Sequence, residues 1–327
     1  MSEFQVVGAG VAGLCVATEL AARGASVRIF DQVPDSPGPH SCSWWAGGML
    51  APDCEGESAE EPVTRLGRTA AKWWERHAGG VSWRGTLVVA LERDKGELSR
   101  FARLADGHET LKDSAIAELE PDLGGRFRRA LHFRNEAHIR PRTALAGLVK
   151  RLNSSGVQIE TEPPDRDLPS IDCRGLAARD VLQDLRGVKG EMVVVRCPDV
   201  EFARPVRLLH PRHPIYVVPR GNGIFMIGAT MIETDSRHNA SVRSILELLS
   251  AAYALVPAFG EAELLEMGAD SRPAFADNLP RIRRRGRTVF VNGLYRHGFL
   301  LAPAMAEMTA ELVLEGRKPE IMDEDIG

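Results

Sequence analysis

The stretch FQVVGAGVAGL at residues 4–14 decides the fold class of this chain. Its apolar start, Phe4–Val7, predicts a short buried strand, and Leu14–Arg23 predicts a helix with small residues near its start. A second apolar segment, Val27–Phe30, follows the helix and predicts another strand. A strand, a helix and a strand in this order form a βαβ unit, which favours a parallel sheet.

The turn before the helix has the pattern G-x-G-x-x-G. Gly8 permits a tight turn, Gly10 lets a pyrophosphate approach the backbone, and Gly13 lets helix and strand pack closely. The helix N-terminus offers unpaired N–H groups and about half a positive charge to phosphates. Asp31 ends the second strand, where a carboxylate can accept hydrogen bonds from ribose and would repel a 2′-phosphate. The unit predicts a dinucleotide site, disfavours NADP and leaves FAD and NAD open.

Composition limits the class of function. With 327 residues, 44% hydrophobic and 26% charged, the sequence is typical of a globular protein of about two domains. A formal net charge of -4 gives no general attraction to nucleic acid or to an anionic membrane. The five cysteines lack metal-binding spacing, which predicts no metal site and favours reduced thiols in a cytoplasmic enzyme. The sequence contains no secretion signal and no apolar run of about 18 residues, so no membrane span is expected.

Further strands and helices are predicted around the βαβ unit. Strand character is found at Thr86–Leu91, Val157–Glu160, Ser170–Cys173, Met192–Arg196, Ile215–Pro219, Ile224–Gly228 and Thr288–Asn292. Helical spacing is found at Glu60–His77, Thr143–Leu152, Val242–Leu255 and Phe299–Glu315. The basic run Arg281–Arg287 is interpreted as a solvated loop. Nucleotide-type segments at both ends and in the middle, with antiparallel segments between them, predict two interleaved domains.

Segments far apart in the sequence carry a family resemblance. Residues 45–52 read WAGGMLAP, and residues 292–303 read NGLYRHGFLLAP. They resemble the A-A-G-M-L-A-P and N-G-h-Y-R-x-G-i-L-L-A-P segments of ThiO-type glycine oxidases, within the D-amino-acid oxidase superfamily. Ser271–Pro280 resembles the family's R-P-x-x-x-D-x-x-P, and Ile215–Met231 resembles its Y-h-V-P-R and h-G-A-T strands. The similarity covers nearly the whole chain in the same order.

The resemblance implies a fold and a cofactor. We expect an α/β fold in which a Rossmann-like FAD-binding domain is interleaved with an α+β substrate domain built on a largely antiparallel sheet. The FAD-binding domain is expected at residues 1–80, 140–187 and 270–327, and the substrate-binding domain at residues 81–139 and 188–269. FAD would be held non-covalently, because monomeric sarcosine oxidases attach flavin to a late cysteine and here none follows Cys197.

The residues that the resemblance assigns to FAD lie in the glycine turn and in the two family motifs. They are Gly8, Gly10, Val11, Ala12, Gly13, Asp31, Ser43, Gly47, Gly48, Met49, Gly293, Arg296, His297, Gly298, Phe299 and Leu300. A helix start at the second motif, aimed at the flavin pyrimidine, would stabilise the anionic reduced ring. Met49 and His297 can instead be an ordinary core residue and an ordinary loop residue.

Three residues are candidates for substrate binding. Arg272 can hold a carboxylate with two parallel hydrogen bonds, or it can pair with Asp277. The Tyr216 hydroxyl can be a second donor to that carboxylate, or the ring can merely pack in its strand. Arg296 can reach the carboxylate or the flavin, or it can form a surface ion pair. Together these residues predict an anchor for an amino acid.

The implied activity is flavin-dependent oxidative deamination of glycine, and of other small amines or D-amino acids, with release of hydrogen peroxide. A strong general base is not required, because a neutral amine can release hydride directly to the flavin. The expected partners are a small amino-acid substrate, dioxygen, further copies of the chain in a homo-oligomer, and a thiazole synthase that receives the imine in thiamine biosynthesis. The alternatives are a sarcosine or D-amino-acid oxidase, a flavin-dependent dehydrogenase with another electron acceptor, and an NAD-binding module without redox turnover.

Some residues depart from the family pattern. Asp31 stands where the superfamily usually has Glu. Trp44 and Trp45 add bulk beside the expected flavin site, which favours a small substrate. Asp172 and Arg174 stand where relatives carry an apolar strand, and they either pair with each other or touch the cofactor.

Overall fold

The computed structural model of the chain describes residues 3–34, 36–162, 164–165 and 168–326. Parts of the predicted FAD-binding ranges, namely residues 1, 2, 35, 163, 166, 167 and 327, lie outside these described residues. The described part folds into two large sheets and one two-stranded sheet. Its helices pack against the two large sheets and give each sheet a core of its own.

Strands and helices alternate along the chain. The strands are β1 (Glu3–Val7), β2 (Ser26–Phe30), β3 (Met49–Leu50), β4 (Thr86–Ala90), β5 (Glu109–Lys112), β6 (Arg129–Phe133), β7 (Ala137–His138), β8 (Ile159–Glu160), β9 (Ser170–Asp172), β10 (Arg186–Arg196), β11 (Val206–Leu209), β12 (Ile215–Gly221), β13 (Ile224–Gly228), β14 (Ile232–Glu233), β15 (Glu263–Ala274), β16 (Arg281–Arg285), β17 (Thr288–Asn292) and β18 (Met322–Ile326). The α-helices are α1 (Val11–Ala22), α2 (Pro52–Glu55), α3 (Glu61–Gly67), α4 (Ala70–His77), α5 (Lys95–Leu104), α6 (Asp113–Leu119), α7 (Pro141–Ser154), α8 (Val242–Leu255) and α9 (Gly298–Glu315).

The first sheet is mainly parallel, with the strand order β18–β16–β17–β9–β1–β2–β8. β1 pairs in parallel with β2 and β9, and β9 pairs in parallel with β17. Gly8, Asp31 and Cys173 directly follow β1, β2 and β9, so they lie at the same edge of the sheet. Ligands of open parallel sheets bind beyond the carboxyl ends of the strands. This edge is therefore the expected place for a nucleotide.

Helix α1 is enclosed on almost every side, since every residue from Val11 to Leu20 is buried. It packs against the first sheet and against α7 and α9. An apolar helix without a polar face is what such a position requires. A Cβ atom on Gly13 would lie 1.8 Å from the Gly8 carbonyl oxygen, so only glycine permits this contact between helix and turn.

The second sheet is largely antiparallel, with the order β14–β10–β13–β12–β11–β4–β6–β5 and with β15 also paired to β10. One face carries Val217 and Ile227, which pack under α8 in a separate core. Successive residues of a strand point to opposite faces, so Tyr216 and Gly228 lie on the other face. The interleaved α/β fold predicted from the sequence is confirmed, while the domain limits remain a prediction.

One local prediction is wrong, and another is confirmed with an interruption. Arg281–Arg287 is not a solvated loop, because β16 pairs with β17 and β18. Arg283 is 9% exposed there and donates hydrogen bonds to Asp184 and Asp323, so carboxylates from distant segments make the basic strand possible. Glu60–His77 is not one helix but two, α3 and α4, with a break after Gly67. The Gly67 Cα packs against Leu300, and a Cβ would lie 2.8 Å from that side chain.

Candidate active site

A cavity of about 870 Å³ is lined by residues of both large sheets. Its walls include Gly10 and Asp31 from the nucleotide turn, and Tyr216 and Arg272 from the second sheet. Ligand sites commonly measure roughly 300–1,000 Å³, so this cavity is at the large end of that range. All predicted site residues line it except Gly13 and Gly293. Those two glycines serve packing instead, Gly13 against the turn and Gly293 against the Phe275 ring.

One part of the cavity surrounds the N-terminus of α1. Gly8 has a φ of 101° and lies so close to the Cys173 carbonyl that a Cβ would come within 2.7 Å of its oxygen. The Val11 N–H donates to Ser43 Oγ at 3.0 Å, whereas the Ala12 N–H has no hydrogen-bond partner among the described residues. This helix start can therefore still accept an anion.

Asp31 is held rigidly at the edge of the same region. Its Oδ2 accepts a hydrogen bond from the Ala9 N–H at 2.8 Å, and its Oδ1 accepts one from the Val33 N–H at 3.0 Å. Each carboxylate oxygen has a second lone pair, so the group can also accept from a ligand in the cavity. Its predicted role as a ribose acceptor remains a prediction.

The two family motifs meet in the middle of the cavity. Gly48 has a φ of 73° and packs against the Ile139 carbonyl, and Gly47, Gly48 and Met49 all line the cavity. The other motif supplies the first turn of α9, where Gly298 lines the cavity. His297 is buried at the start of α9, and its Nδ1 has no hydrogen-bond partner among the described residues. The positive end of α9 and the His297 side chain thus line the same space.

Arg272 is near the end of β15, and its guanidinium group lies over Gly190 of β10. A Cβ on Gly190 would lie 2.0 Å from Arg272 Nη2, so the glycine makes room for the guanidinium. Arg272 Nη1 donates to the Thr230 carbonyl at 3.2 Å, and no carboxylate of the described residues pairs with it. The alternative pairing with Asp277 is not found, since Asp277 pairs with Arg281.

Tyr216 lies between β11 and β13, over two glycines. A Cβ on Gly47 would lie 2.9 Å from the Tyr216 ring, and one on Gly228 would lie 3.1 Å from its hydroxyl. Burial raises the pKa of Tyr216, and the positive charge of Arg272 acts in the opposite direction. The phenol therefore stays protonated at neutral pH and can donate a hydrogen bond.

A buried ion cluster, which the sequence did not reveal, stands beside Tyr216. Glu55 Oε2 lies 2.8 Å from Arg296 Nη2 and 3.0 Å from His297 Nε2, and Glu55 Oε1 lies 3.2 Å from Arg207 Nη1. Burial alone would raise the pKa of Glu55, but Arg296 and Arg207 hold it well below its ordinary value. Arg296 is thus paired inside the cavity and is not in a surface ion pair.

The residues that depart from the family pattern have distinct surroundings. Arg174 donates to Asp172 Oδ2 at 2.8 Å, so these two residues pair with each other, and both also line the cavity. Trp45 lines the cavity and lies flat over Gly268, where a Cβ would come within 2.0 Å of the ring. Trp44 lies under the Arg142 guanidinium, 4.5 Å from its ring centroid, and does not line the cavity. Of the two tryptophans, only Trp45 limits the space for a ligand.

Comparison with known proteins places this geometry in a family. Residues 4–312 match the family model described as DAO, FAD dependent oxidoreductase. The chain belongs to this family. A Rhizobium etli protein provisionally named thiamine biosynthesis oxidoreductase ThiO is 55% identical, with 96% of this chain and 98% of that protein covered. The resemblance to ThiO-type enzymes predicted from the sequence is confirmed.

More distant relatives match nearly the whole length of this chain. A glycine oxidase of Bacillus licheniformis is 27% identical over 94% of this chain and 92% of its own length. A bifunctional protein ThiO/ThiG of Nostoc is 24% identical over 98% of this chain and 54% of its own length. The crystal structure of glycine oxidase from Geobacillus kaustophilus superposes with a TM-score of 0.81 at 23% identity, covering 98% of this chain and 97% of that one.

FAD is the cofactor of this family, and the cavity of this chain fits it. At Gly10 a Cβ would meet only the Ser43 and Ser41 hydroxyls, at 3.4 and 3.5 Å, so the bare backbone there is open to a phosphate. The free N–H at Ala12 and the unsatisfied Nδ1 of His297 are two further polar groups without protein partners. We propose that these residues hold the pyrophosphate and the flavin ring of FAD. None of the described helices is long and apolar enough to cross a membrane, and no described group of three or more His, Cys, Asp or Glu could hold a metal ion.

Behind the ion cluster, burial raises the pKa of the Glu136 carboxyl to about 8, against the opposing effect of the Thr86 hydroxyl. Glu136 Oε1 accepts a hydrogen bond from the Cys54 N–H at 2.7 Å, whereas its Oε2 has no partner among the described residues. Folding therefore favours the protonated acid. A group whose pKa is raised by folding stabilises the protein at low pH, and this stability is lost as pH rises through the folded pKa.

Replacing Glu136 with glutamine is expected to remove this pH dependence. Between pH 6.5 and 8 the unfolded carboxyl is already ionised, so the wild type should lose about 2 kcal/mol of unfolding free energy relative to Glu136→Gln, at ~1.4 kcal/mol per pH unit. Denaturant unfolding of both proteins at several pH values measures this difference. The exposed Glu118→Gln is the matched control and should follow the wild type. Parallel curves for the wild type and Glu136→Gln would show that Glu136 is already ionised.

Proposed function

We propose that this protein oxidises the α-carbon of glycine and of other small amines to an imine, with dioxygen as the final electron acceptor. The observation that carries the proposal is the Arg272 guanidinium, which faces the cavity beside Tyr216 without a carboxylate partner. A guanidinium fork and a phenol hydroxyl are suited to one carboxylate. The 27% identical glycine oxidase supports the choice of glycine.

Bound FAD supplies a two-electron acceptor for a hydride from the substrate carbon. The residues of this chain have to position that carbon for the transfer. In this proposal Arg272 and Tyr216 fix the carboxylate, and the α-carbon and the amine project into the cavity, which the first turn of α9 also lines. Two charge-assisted hydrogen bonds of ~1.5–3 kcal/mol each would hold the carboxylate in that orientation.

Glu55 is not available as a general base. Its carboxylate is shared by Arg296, His297 and Arg207, and these contacts hold its pKa well below the ordinary value. A carboxylate stabilised in this way is a poor proton acceptor at neutral pH. The substrate must therefore enter as the neutral amine, or lose its proton to water, before its C–H bond breaks. The net reaction consumes amine, dioxygen and water, and releases oxo acid, ammonia and hydrogen peroxide.

The pathway proposal rests on the names of two relatives. One is provisionally named a thiamine biosynthesis oxidoreductase, and another is a fusion of ThiO with ThiG. A fusion places two consecutive activities on one chain at high effective concentration. We infer that this protein supplies the imine of glycine to a separate thiazole synthase.

The test is peroxide release by the FAD-loaded protein with glycine, sarcosine, D-alanine and D-proline as substrates. Glycine is expected to give peroxide and ammonia in equal amounts. Peroxide from another amine but none from glycine would refute the choice of substrate. Reduction of the flavin by glycine without reoxidation in air would instead identify a dehydrogenase with another acceptor.

A further inference from the structure

Three arginines stand around Tyr216, namely Arg207, Arg272 and Arg296, and all three line the cavity. Glu55 is the carboxylate of the described residues that contacts two of them. Three positive charges against one negative charge leave this region with a surplus of two. An unpaired charge away from water is costly, so such a region favours an anionic ligand.

The other acidic side chains nearby do not remove this surplus. Burial raises the pKa of Glu136 to about 8, so this acid is mainly uncharged at neutral pH. Asp270 also lines the cavity, but it accepts hydrogen bonds from Arg237 at 2.7 and 3.1 Å. This pair is neutral as a whole. One substrate carboxylate would therefore compensate only part of the positive charge.

The arginines differ in the number of guanidinium nitrogens that have no hydrogen-bond partner. Arg296 uses all its guanidinium nitrogens, towards His297, Met231, Ser58 and Glu55. Arg207 uses only Nη1, which contacts Cys54 Sγ and Glu55 Oε1, both at 3.2 Å. Its Nε and Nη2 have no partner among the described residues. Arg207 can thus accept a second anionic group, whereas Arg296 is already occupied.

The sheet places Arg207 and Arg272 on opposite sides of Tyr216. Arg207 is the direct cross-strand partner of Tyr216 in the pairing of β11 with β12. Arg272 belongs to β15, which lies beyond β10 and β13 on the other side, and its guanidinium reaches back over Gly190 of β10. Cross-strand partners have Cβ atoms ~4.5–5.5 Å apart, so Arg207 and Tyr216 stand next to each other on the same face.

We propose that the preferred substrate of this site is a small amine with two carboxylates, one bound by Arg272 and Tyr216 and the other by Arg207. This proposal rests on the proposed amine oxidation and narrows its substrate class. With iminodiacetate, for example, one α C–H bond would break and the amine would release its N–H proton as a C=N bond forms, and water would then release glyoxylate and glycine. Dioxygen would take the two electrons and become hydrogen peroxide, as in the proposed reaction.

Binding of inert diacids tests the proposal without turnover. Thiodiacetate and methylthioacetate have similar chains but differ by one carboxylate, and neither contains an amine to oxidise. Titration of the FAD-loaded protein, followed by calorimetry and by the flavin absorbance, gives both dissociation constants. A charge-assisted bond to a second carboxylate should make thiodiacetate bind about 10- to 100-fold more tightly. Equal affinities in the wild type would overturn the proposal.

Variants of Arg207 identify the residue that recognises the second carboxylate. In Arg207→Met the preference for thiodiacetate should fall to about threefold or less, and Arg207→Lys should keep a larger part of it because its charge remains. Arg196→Met, at an exposed position of β10, is the matched control and should keep the wild-type preference. A full preference in Arg207→Met would overturn the assignment to Arg207.

Turnover separates this proposal from the proposed function. The FAD-loaded wild type is expected to oxidise iminodiacetate with a higher kcat/KM than sarcosine, with glyoxylate as the measured product. Oxidation of glycine and sarcosine, with no preference for either diacid, would refute the two-carboxylate substrate and leave the proposed function standing. A diacid preference in binding, without oxidation of any amine, would refute the proposed function and leave the binding assignment intact.

Discussion

Arg272→Met is expected to lower kcat/KM for the amine substrate by about 10²- to 10⁴-fold. The variant removes two charge-assisted hydrogen bonds to the substrate carboxylate, at ~1.5–3 kcal/mol each. It removes no ion pair inside the protein, because the guanidinium has only the Thr230 carbonyl as a partner among the described residues. The carboxylate is bound in the ground state and in the transition state alike, so most of the loss should be a rise in KM. Steady-state kinetics with varied glycine measures both parameters.

Two further variants show whether the loss is specific to the guanidinium group of Arg272. Arg272→Lys retains the charge but not the fork, and should lie between the wild type and Arg272→Met. Arg196→Met removes an exposed arginine of the same sheet and should leave both parameters near the wild-type values. An Arg272→Met enzyme with an unchanged KM would exclude Arg272 from the substrate site.

The nucleotide half of the site could be predicted from the sequence, because the signal is local. Gly8, Gly10 and Gly13 lie within one turn between a strand and a helix, and Asp31 ends the next strand. The structure places all four at the carboxyl edge of the parallel sheet or directly behind it. Each contact involves backbone conformation or hydrogen bonds between neighbouring strands. A short pattern of residue types is enough to specify such contacts.

The ion cluster could not be predicted, because its members come from separate segments. Glu55 ends the four-residue helix α2, Arg207 lies in β11, and Arg296 precedes α9. One weak signal is present, since Arg207 stands between the apolar Val206 and Leu208 in a strand. A charged residue at such a position points away from the core, but the pattern does not show which residues it contacts.

The basic strand β16 is a similar case. A run of arginines is typical of a solvated surface, and the one nearby carboxylate, Asp277, pairs with Arg281 and not with Arg283. In the fold, Asp184 comes from a loop before β10 and Asp323 comes from β18, and both bind Arg283. Ion pairs over such distances in sequence become visible only when the sheet order is known. The same limit applies to Gly190, because its role becomes clear only from the Arg272 guanidinium that lies over it.

Alanine at Gly13 and at Gly10 should have two different effects. At Gly13 a Cβ would lie 1.8 Å from the Gly8 carbonyl oxygen, which neither the turn nor the buried helix α1 can avoid. Gly13→Ala is therefore expected to abolish the folded, yellow protein. At Gly10 a Cβ would meet only serine hydroxyls at 3.4 and 3.5 Å, so the chain should fold. That methyl group would occupy the space where a pyrophosphate approaches the helix start.

Gly10→Ala is thus expected to keep the wild-type far-UV circular dichroism but to bind FAD at least about tenfold more weakly, a loss of ~1.4 kcal/mol or more. The flavin-to-protein absorbance ratio after dialysis, and titration of the apoprotein with FAD, measure this loss. Gly96→Ala is the matched control, because a Cβ on Gly96 would meet nothing within 4 Å, and it should bind FAD normally. Normal FAD affinity in Gly10→Ala would mean that the pyrophosphate does not approach the chain at Gly10. A folded Gly13→Ala would mean that the turn can open without disturbing α1, contrary to the packing seen here.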